Sequence, residues 1–344
     1  MTLILAIEAS CDETAAAVVE DGWIARSSVV ATQAAMHARY GGVFPEVASR
    51  MHVETITPVI REAMEQASAV WDDLSAIAAT RGPGLPGSLL VGLNAAKGIA
   101  FGRGLPLIGV NHLEGHVYSH WLKIKDDAVI GNGLKFPLLI LIVSGGHTEL
   151  ILMRDHLKYE RLGATLDDAA GEAFDKVARL LGLGYPGGPA IERVAASGDP
   201  MRFEFAMPKV DHEFAFSFSG IKTAVLRAVQ TYGETDGRGN VPVRAPVPDL
   251  AASFQRAVVQ QLAEKAVEAA DRYGATEILL AGGVSANATL REVMPRRARV
   301  PVRWPPLWLC TDNAAMIGAA AHYRYEAGQR DGWDLDIAPN LKLE

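Results

Sequence analysis

The chain has 344 residues, of which 49% are hydrophobic and 21% are charged. This length and composition are enough to bury a sizeable core and predict two domains or lobes. Its formal net charge of −7 excludes a general attraction to nucleic acid, so any such partner must be held by a local basic patch. Two cysteines, Cys11 and Cys310, are too few for a disulfide framework and indicate a reducing cytoplasm. The apolar runs fall well short of the roughly 20 residues that span a bilayer, so we expect no membrane association.

The first elements of each half of the chain resemble one another. The apolar run that ends at Glu8 predicts a first strand rather than a signal peptide, and a polar turn leads from it into the apolar residues 15–19. A second apolar run, 139–143, passes through the turn 144–148 into the apolar residues 150–153. Both patterns predict a β-hairpin, and their recurrence indicates two similar lobes.

Helical periodicity occupies most of the remaining chain. It predicts helices over 47–70, 88–101, 165–181, 248–273 and 312–327, with a strand over 277–281 and a surface loop over 236–248. Thr165 is expected to cap the third of these helices, because a carboxylate follows it three residues later. Helices that alternate with strands in both halves predict an α/β fold.

Two histidines at helical spacing are the strongest indication of a chemical site. His112 and His116 are four residues apart, so on a helix both imidazoles lie on one face and can bind one metal ion. The zinc-peptidase signature places glutamate directly after the first histidine, but Leu113 stands there and Glu114 comes one residue later. That shift rotates the carboxylate by roughly 100° around the helix, which argues against peptide hydrolysis.

A metal site needs at least one further ligand from elsewhere in the chain. Asp312 is the candidate, because it opens the last predicted helix, although an aspartate there is also a common helix N-cap. His120, four residues after His116, could compete as a ligand. From spacing alone, two partly exposed histidines on an ordinary helix remain the alternative.

Four turns of small residues follow apolar runs, and such turns let backbone N–H groups approach an anion closely. They lie at residues 10–14, 144–148, 185–188 and 281–287. None matches the phosphate-binding P-loop or the dinucleotide motif, but their number in one α/β chain favours a bound nucleotide. Asp175 could accept a hydrogen bond from a ribose or substrate hydroxyl, with an ordinary surface Asp–Lys position as the alternative.

Basic residues cluster late in the chain. Five arginines, Arg291, Arg296, Arg297, Arg299 and Arg303, offer the most plausible contact with a phosphate backbone, and a solvated loop is the alternative interpretation.

Taken together, the motifs resemble one family over nearly the whole chain. They lie at 7–14 (IEASCDET), 40–52 (YGGVFPEVASRMH), 112–116 (HLEGH), 143–148 (VSGGHT), 167–176 (DDAAGEAFDK), 216–223 (FSFSGIKT), 281–287 (AGGVSAN) and 310–313 (CTDN). This ordered set resembles the bacterial tRNA N6-adenosine threonylcarbamoyltransferases, the TsaD family. Phe44 and Asn111 stand where the family more usually has Val and His, and the linker 123–135 is somewhat long, which affects the position of the lobe junction.

The resemblance implies a fold and an activity. The fold would be the two-lobed α/β ATPase fold shared by actin, sugar kinases and heat-shock chaperones, with a duplicated hairpin-plus-helix lobe and a nucleotide in the cleft. We place the lobes at 1–112 with 313–330 and at 113–312. The family transfers a threonylcarbamoyl group from threonylcarbamoyl-AMP to N6 of the adenosine 3′ of the anticodon, in tRNAs that read codons beginning with A. Its members work with a paralogous companion protein and a small ATPase.

The resemblance also implies site residues. By motif, His112, His116 and Asp312 would bind iron (Fe²⁺) or zinc. The adenylate, or an ATP/ADP-type nucleotide, would be held by Ile142, Val143, Ser144, Gly145, Gly146, Asp175, Gly188 and Asn287. Because the donor is already an activated anhydride, the enzyme must orient its substrates and stabilise charge rather than supply a strong nucleophile. We choose Asp12 as the catalytic polar group that assists proton removal from the amine. A metallopeptidase, a small-molecule kinase of the same fold and a non-catalytic scaffold are the rival hypotheses.

Overall fold

The computed structural model describes residues 1–124, 133–206, 208 and 210–344. Most of the linker 123–135 noted in the sequence therefore lies outside the described residues. Within the described part of the chain, no helix combines the length and apolarity that crossing a bilayer requires. Contacts between Cα atoms divide the chain into two compact units. Unit 1 comprises 1–134, 156–158 and 305–344, and unit 2 comprises 135–155 and 159–304.

The first sheet, in unit 1, is built on a hairpin at its centre. Strands β1 (Leu3–Glu8), β2 (Glu13–Glu20) and β3 (Ile24–Thr32) pair in antiparallel succession. Strands β4 (Ala76–Gly82) and β5 (Leu107–Asn111) extend the other side of β1 in parallel, and β6 (Lys123–Ile124) pairs with β3. The order is β5-β4-β1-β2-β3-β6. β1 is apolar and buried on both faces, as expected for a central strand covered by helices.

The second sheet, in unit 2, repeats this arrangement. Strands β7 (Leu138–Val143) and β8 (Thr148–Asp155) form an antiparallel hairpin, and β9 (Lys158–Ala164) lies beyond β8. Strands β10 (Glu277–Ala281) and β11 (Val302–Arg303) extend the β7 side in parallel, which gives the order β11-β10-β7-β8-β9. The predicted duplicated hairpin and the predicted strand at 277–281 are therefore confirmed.

Eleven helices of the described chain surround the sheets. They are α1 (Ala34–Ala38), α2 (Pro45–Gln66), α3 (Pro86–Arg103), α4 (His112–Tyr118), α5 (Ala170–Leu180), α6 (Gly187–Ala195), α7 (Ser219–Gln230), α8 (Val247–Tyr273), α9 (Ala288–Arg297), α10 (Leu307–Cys310) and α11 (Ala314–Glu326). Proline at the first helical position begins α2 and α3, and left-handed Gly104 and Gly274 end α3 and α8, as helix termini prefer.

Each sheet packs against its own helices. In unit 1, α2 and α3 cover one side of the β1–β2 hairpin and share a core with Leu5, Ile7 and Val18. The helix α11 contacts the same strands at Gly318, where a Cβ atom would lie 2.5 Å from the side chain of Val19. In unit 2, α5, α7 and α8 contribute to one large apolar core with β7 and β8. The arrangement buries apolar residues on the sheet faces and leaves the strand ends for polar groups.

The boundaries of the units differ from the expected lobes, 1–112 with 313–330 and 113–312. Residues 113–134 and 305–312 group with unit 1, because α4 and α11 pack together. Gly115 makes that packing close, since a Cβ atom there would lie 2.7 Å from Ile317 Cδ1. A division at residue 112 would cut through this helix pair.

The predicted helix over 165–181 begins too early. The helix α5 starts at Ala170, and Thr165 does not cap it, because its hydroxyl donates to the carbonyl of Asp168 and its N–H donates to Thr148. Asp167 instead accepts hydrogen bonds from Ser217 and from the backbone N–H of Phe218 at 2.7 Å. Burial opposes the charge of Asp167, but these hydrogen bonds lower its pKa. Its carboxylate therefore serves the start of α7 rather than α5.

Candidate metal centre and glycine-rich cradle

The two histidines lie where β5 passes into α4. Asn111 begins the helix by accepting a hydrogen bond from Leu113 N–H at 2.8 Å, so His112 and His116 occupy its first and fifth positions. The ring centroids are 4.8 Å apart, and the planes are inclined by 82°. The helical placement of the pair on one face, expected from the spacing, is what the structure shows.

Asp312 lies beside both histidines. Its Oδ1 is 3.2 Å from His116 Nε2 and 3.5 Å from His112 Nε2, and one ligand atom from each residue lies within 4.8 Å of the others. Asp312 is not the helix N-cap, because Asn313 takes that position and accepts from Met316 N–H. The capping alternative for Asp312 is therefore excluded, and its carboxylate faces the imidazoles.

The chemistry of this cluster fits a transition metal. Both ring nitrogens of His116 are buried and make no hydrogen bond among the described residues, although Nε2 lies 3.2 Å from Asp312 Oδ1. Buried nitrogens without hydrogen bonds are costly unless an ion or another group binds them. Ligands about 2.0–2.1 Å from a tetrahedral ion lie roughly 3.3–3.4 Å from one another, close to the two measured separations. Two imidazoles and a carboxylate suit zinc or iron and leave a position open. His120 lies outside this ligand group among the described residues, and its Nδ1 hydrogen-bonds the carbonyl of Val117 at 3.0 Å.

A buried carboxylate, which sequence reasoning assigned no role, lies behind His112. Glu8 is fully buried at the end of β1, and its Oε2 is 3.0 Å from His112 Nδ1. Burial disfavours a charged His112, but Asp312 and Glu8 outweigh it and raise the pKa of His112 to about 9. Burial likewise opposes the charge of Glu8, and the neighbouring His112 overcomes it and lowers the pKa of that carboxyl. The only indication in the sequence was a charged residue ending an otherwise apolar strand.

The turn between β1 and β2 carries Asp12, the predicted catalytic residue. It also holds Cys11 and Glu13, and burial together with the charges of Asp12 and Asp312 raises the pKa of both. The pKa of Glu13 reaches about 9, with burial and Asp312 as the largest causes. Burial and the neighbouring carboxylates thus favour the thiol form of Cys11 over the more reactive thiolate. His52, which the sequence analysis did not single out, supports the turn through a 3.0 Å hydrogen bond between its Nε2 and Cys11 O.

Glu114, the carboxylate nearest in sequence to a peptidase base, is committed elsewhere. It is fully buried and forms an ion pair with Arg324 of α11, with Oε2 and Nε 2.5 Å apart. The pair ties α4 to α11, and it occupies the only carboxylate between the two histidines in the sequence. Glu114 is thus unavailable as the general base that the metallopeptidase hypothesis needs.

The glycine-rich residues of unit 2 form a second candidate site, which we call the cradle: Ser144, Gly145 and Gly146 after β7, with Asp175 and Gly188. Gly171 allows the turn to touch α5, since a Cβ atom there would lie 2.5 Å from Ser144 O. Asp175 lies one turn further along α5, and its Oδ1 accepts from Gly187 N–H, at the start of α6, at 2.7 Å.

Open space surrounds much of the cradle. A Cβ atom built at Gly145, Gly146 or Gly188 would have no atom of the described residues within 4 Å. Backbone N–H groups at such positions can therefore be reached by an anion.

Three of the predicted nucleotide-binding residues have buried side chains that a ligand could not easily contact. Ile142 and Val143 are buried at 0% and 1% exposure, so only their backbone at the end of β7 could meet a ligand. Asn287 is also buried, and its amide caps α9 by accepting from Leu290 N–H while donating to Gln255 at 2.9 Å. Its position at the end of the 3-10 turn Gly283–Ala286 is therefore set by packing within unit 2.

The five arginines proposed as a phosphate contact are mostly paired within the protein. Arg296, Arg297, Arg299 and Arg303 form ion pairs with Glu292, Glu264, Asp271 and Glu277 respectively. Arg291 lies over the ring of Trp304 and donates to Ser285 O at 2.7 Å. The positive charge suggested by the sequence is thus largely neutralised by neighbouring carboxylates.

Comparison with known proteins places the chain in a family. Residues 25–319 match the family model described as TsaD, tRNA N6-adenosine threonylcarbamoyltransferase. Two relatives named tRNA N6-adenosine threonylcarbamoyltransferase are similar over nearly their whole length. The one from Thermomicrobium roseum is 53% identical over 99% of this chain and 97% of its own. The one from Dehalococcoides mccartyi is 51% identical over 99% of both chains.

Solved structures show the same fold at low sequence identity. Component A of (R)-2-hydroxyglutaryl-CoA dehydratase from Acidaminococcus fermentans has a TM-score of 0.55 at 14% identity, over 95% of this chain and 100% of its own. HypF from T. kodakarensis has a TM-score of 0.62 at 17% identity, over 95% of this chain and 48% of its own. The α/β fold is the actin/sugar-kinase/heat-shock-chaperone fold, as expected. Full-length matches at about half identity show that the chain belongs to the tRNA N6-adenosine threonylcarbamoyltransferase family and is a tRNA-modifying transferase.

Proposed function

We propose that the chain transfers the threonylcarbamoyl group of threonylcarbamoyl-AMP to N6 of the adenosine 3′ of the anticodon, in tRNAs that read codons beginning with A. Family membership supports the reaction class. The observation that carries the metal-dependent form of the proposal is the approach of Asp312 Oδ1 to Nε2 of both histidines, with neither nitrogen of the buried His116 hydrogen-bonded among the described residues.

His112, His116 and Asp312 are proposed to hold Fe²⁺ or zinc. When bound there, such an ion supplies Lewis-acid polarisation of an oxygen on the substrate and needs no proton transfer to do so. The residues around it prepare the site for a cation. Asp312 and the buried Glu8 provide negative charge, and α4 holds both imidazoles on one face before any ion arrives.

The cradle in unit 2 is proposed to hold the adenylate. The exposed backbone of Gly145 and Gly146 can donate hydrogen bonds to the phosphate, and Gly188 lies at the start of α6, where the helix dipole favours an anion. Asp175 is positioned by Gly187 and can accept from a ribose hydroxyl. An ATP- or ADP-type nucleotide offers the same phosphate and ribose groups.

The attacking amine needs little activation, because the leaving AMP makes the carbonyl reactive. The chain must bring the amine close, exclude water, and take up the proton that N6 loses as the new C–N bond forms. Asp12 is proposed to accept that proton. It belongs to the turn that contains Ser10, whose hydroxyl is 3.2 Å from His112 Nδ1. Burial raises the pKa of the Cys11 thiol, which supports direct transfer to tRNA rather than transfer through a thiocarbamate on the enzyme.

The substrate implies further partners. A tRNA is the acceptor, and we propose that a paralogous protein of the same fold and a small ATPase act with the chain in the cytoplasm. Because the arginines 291–303 are mostly paired internally, we do not assign the tRNA contact to them.

The donor and acceptor can be tested in one assay. Unmodified tRNA is incubated with the metal-loaded protein, its companion proteins and either synthetic threonylcarbamoyl-AMP or a mixture of threonine, bicarbonate and ATP. Nucleosides are then separated and identified by mass. We expect the modified adenosine with the synthetic adenylate in the absence of ATP, and none in a tRNA whose anticodon-adjacent adenosine is replaced by guanosine. Product formed only when ATP is added would overturn the assignment of the adenylate as the direct donor.

A further inference from the structure

Three groups surround the Glu8 carboxylate within hydrogen-bond distance. Its Oε1 accepts from Ser10 N–H at 2.6 Å, and its Oε2 accepts from the Thr80 hydroxyl at 2.6 Å. The third contact, between Oε2 and His112 Nδ1, measures 3.0 Å. The side chain is fully buried. A charge buried at this depth is costly unless several hydrogen bonds compensate it, and three donors surround this one.

We infer that Glu8 is a positioning residue for the metal centre, which holds His112 in the form that carries its proton on Nδ1. An imidazole protonated on Nδ1 presents its lone pair on Nε2, the atom that lies 3.5 Å from Asp312 Oδ1. A carboxylate behind a metal-binding histidine selects the tautomer, fixes the ring orientation and makes the nitrogen a better ligand. This inference rests on the metal site of the proposed function.

The carboxylate, rather than the nearby hydroxyl, sets the direction of this hydrogen bond. Ser10 Oγ is also within 3.2 Å of His112 Nδ1, but a hydroxyl can donate or accept and so favours neither tautomer. A carboxylate can only accept. Thr80 and the Ser10 N–H hold that carboxylate in place from two directions, on β4 and on the turn after β1. The orientation of His112 is thus determined by the first sheet before a cation binds.

The two histidines differ in this respect. His112 has Glu8 behind it, whereas His116 has no hydrogen-bond partner on either nitrogen among the described residues. A change at Glu8 should therefore alter His112 alone, which distinguishes a positioning role from a general loss of structure.

Glu8→Gln is the sharpest variant, because it keeps the shape and removes one acceptor. The amide has one accepting oxygen and one donating nitrogen, whereas the Ser10 N–H, and His112 when it carries its proton on Nδ1, both require an acceptor. If the NH₂ group faces His112, the proton of the imidazole must move to Nε2. That nitrogen then has no lone pair to offer the metal. If it faces Ser10, it meets an N–H group. We expect the affinity for Zn²⁺ to fall roughly 10- to 100-fold.

The affinity is measured by competition with a chelating dye on the full-length protein, with Glu114→Gln as the matched control. Glu114 is also a fully buried carboxylate, but it contacts Arg324 rather than His112. The control should bind Zn²⁺ within about threefold of the parent. Glu8→Gln binding Zn²⁺ within twofold of the parent would overturn the inference, as would an equal loss in the control.

A second measurement keeps the inference testable if Glu8→Gln does not fold. In the zinc-loaded parent protein, ¹⁵N–¹H correlation spectra should show a slowly exchanging proton on His112 Nδ1 and a zinc-bound Nε2. A proton on Nε2 with zinc on Nδ1 would contradict the inference directly.

The outcomes separate the positioning role from the proposed reaction. Zinc bound with the expected tautomer but no modified tRNA would contradict the proposed reaction and leave the role of Glu8 intact. Modified tRNA formed by Glu8→Gln at the parental rate, with parental zinc affinity, would contradict the role of Glu8 and leave the proposed reaction intact.

Discussion

The central hairpins of the two units share a topology but differ in chemistry. In the first sheet, β1 ends at Glu8, a fully buried carboxylate, and six residues separate it from its partner strand's first paired residue, Ala15. In the second sheet, β7 ends at the apolar Val143, and four residues lead to Thr148. In both sheets, two parallel strands lie beyond the first strand of the hairpin: β4 and β5 beyond β1, and β10 and β11 beyond β7. The same backbone arrangement thus carries charged side chains in one unit and bare backbone in the other.

The difference shows how a repeated fold can divide two tasks. A metal ion needs side-chain ligands with fixed orientation, and contacts with the end of β1 and the longer turn orient His112 through Glu8 and Ser10. A phosphate needs backbone N–H groups without bulky side chains, which Gly145 and Gly146 supply. Changes around His112 in unit 1 should therefore affect metal binding, and changes in the cradle of unit 2 should affect binding of the adenylate.

The largest effect is expected at the metal ligands. His116→Ala removes one of three ligands, so we expect metal content to fall below a tenth of that of the parent and transfer to tRNA to fall at least 100-fold. Metal content is measured by elemental analysis after gel filtration, and transfer by nucleoside analysis.

His120→Gln is the matched control, because His120 is buried near the same helix but lies outside the ligand group. It should keep metal content near that of the parent. Equal loss of metal in both variants would show that histidine burial, and not ligation, explains the first result.

A glycine in unit 2 should produce the complementary phenotype. In Gly171→Ala the new Cβ would lie 2.5 Å from Ser144 O and 2.8 Å from Gly145 Cα, so the turn must move. We expect the KM for threonylcarbamoyl-AMP to rise roughly tenfold, equivalent to about 1.4 kcal/mol, with metal content unchanged. Steady-state kinetics with the synthetic adenylate check this.

Gly98→Ala, in the middle of α3, is its control. A Cβ atom there meets nothing described within 4 Å, so the variant should have parental kinetics and gain about 0.5–1 kcal/mol of helix stability. An equal rise of the KM in this variant would mean that movement of the cradle does not explain the effect of Gly171→Ala.

The pKa of His112 predicts a pH dependence confined to unit 1. In metal-free protein its folded pKa of about 9 lies above the unfolded value of roughly 6.5. The stabilisation is therefore complete below about pH 6.5 and disappears as the pH rises through about 9. Urea unfolding of chelator-treated protein at pH 6, 8 and 10 should show the decline. His112→Gln should make it smaller but not abolish it, because the raised pKa of Glu13, about 9, lowers stability over the same pH range. A decline of the same size in His112→Gln would assign it to another group.

The smallest effect is expected at the helix cap. Asn111→Ala removes the N-cap of α4 and the hydrogen bond from Asn111 Nδ2 to Lys342 O at 3.0 Å, and it should cost about 1 kcal/mol of unfolding free energy. Asn94→Ala, an exposed helix position whose amide donates to Leu90 O, should be neutral or slightly stabilising. Urea denaturation of both variants measures the difference, and equal costs would contradict a capping role.

Periodic patterns could be predicted from sequence because they depend on local spacing. The hairpins, the strand at 277–281 and the long helix α8 follow directly from apolar repeats, and the spacing of His112 and His116 predicts their common face. The start of α5 could not be predicted in the same way. Thr165 bonds to Thr148 on β8, and Asp167 serves α7, so contacts distant in sequence override a local capping pattern.

The missed site residue has a similar explanation. Glu8 is distant in sequence from His112, and only the pairing of β1 with β4 brings its carboxylate to Thr80 and the imidazole. Asp312 could be suggested as a ligand but not distinguished from a helix cap, because the neighbouring Asn313 is an equally good cap by composition. The ion pairs that neutralise the late arginines likewise depend on tertiary contacts such as Arg297 with Glu264.

The location of the metal tests the account most directly. Crystals of the protein grown with Zn²⁺ or Fe²⁺ should give an anomalous difference peak, measured on both sides of the metal absorption edge, about 2.0–2.2 Å from His112 Nε2, His116 Nε2 and an oxygen of Asp312. A peak coordinated by other residues, or a fully loaded sample with no peak between these three side chains, would contradict it.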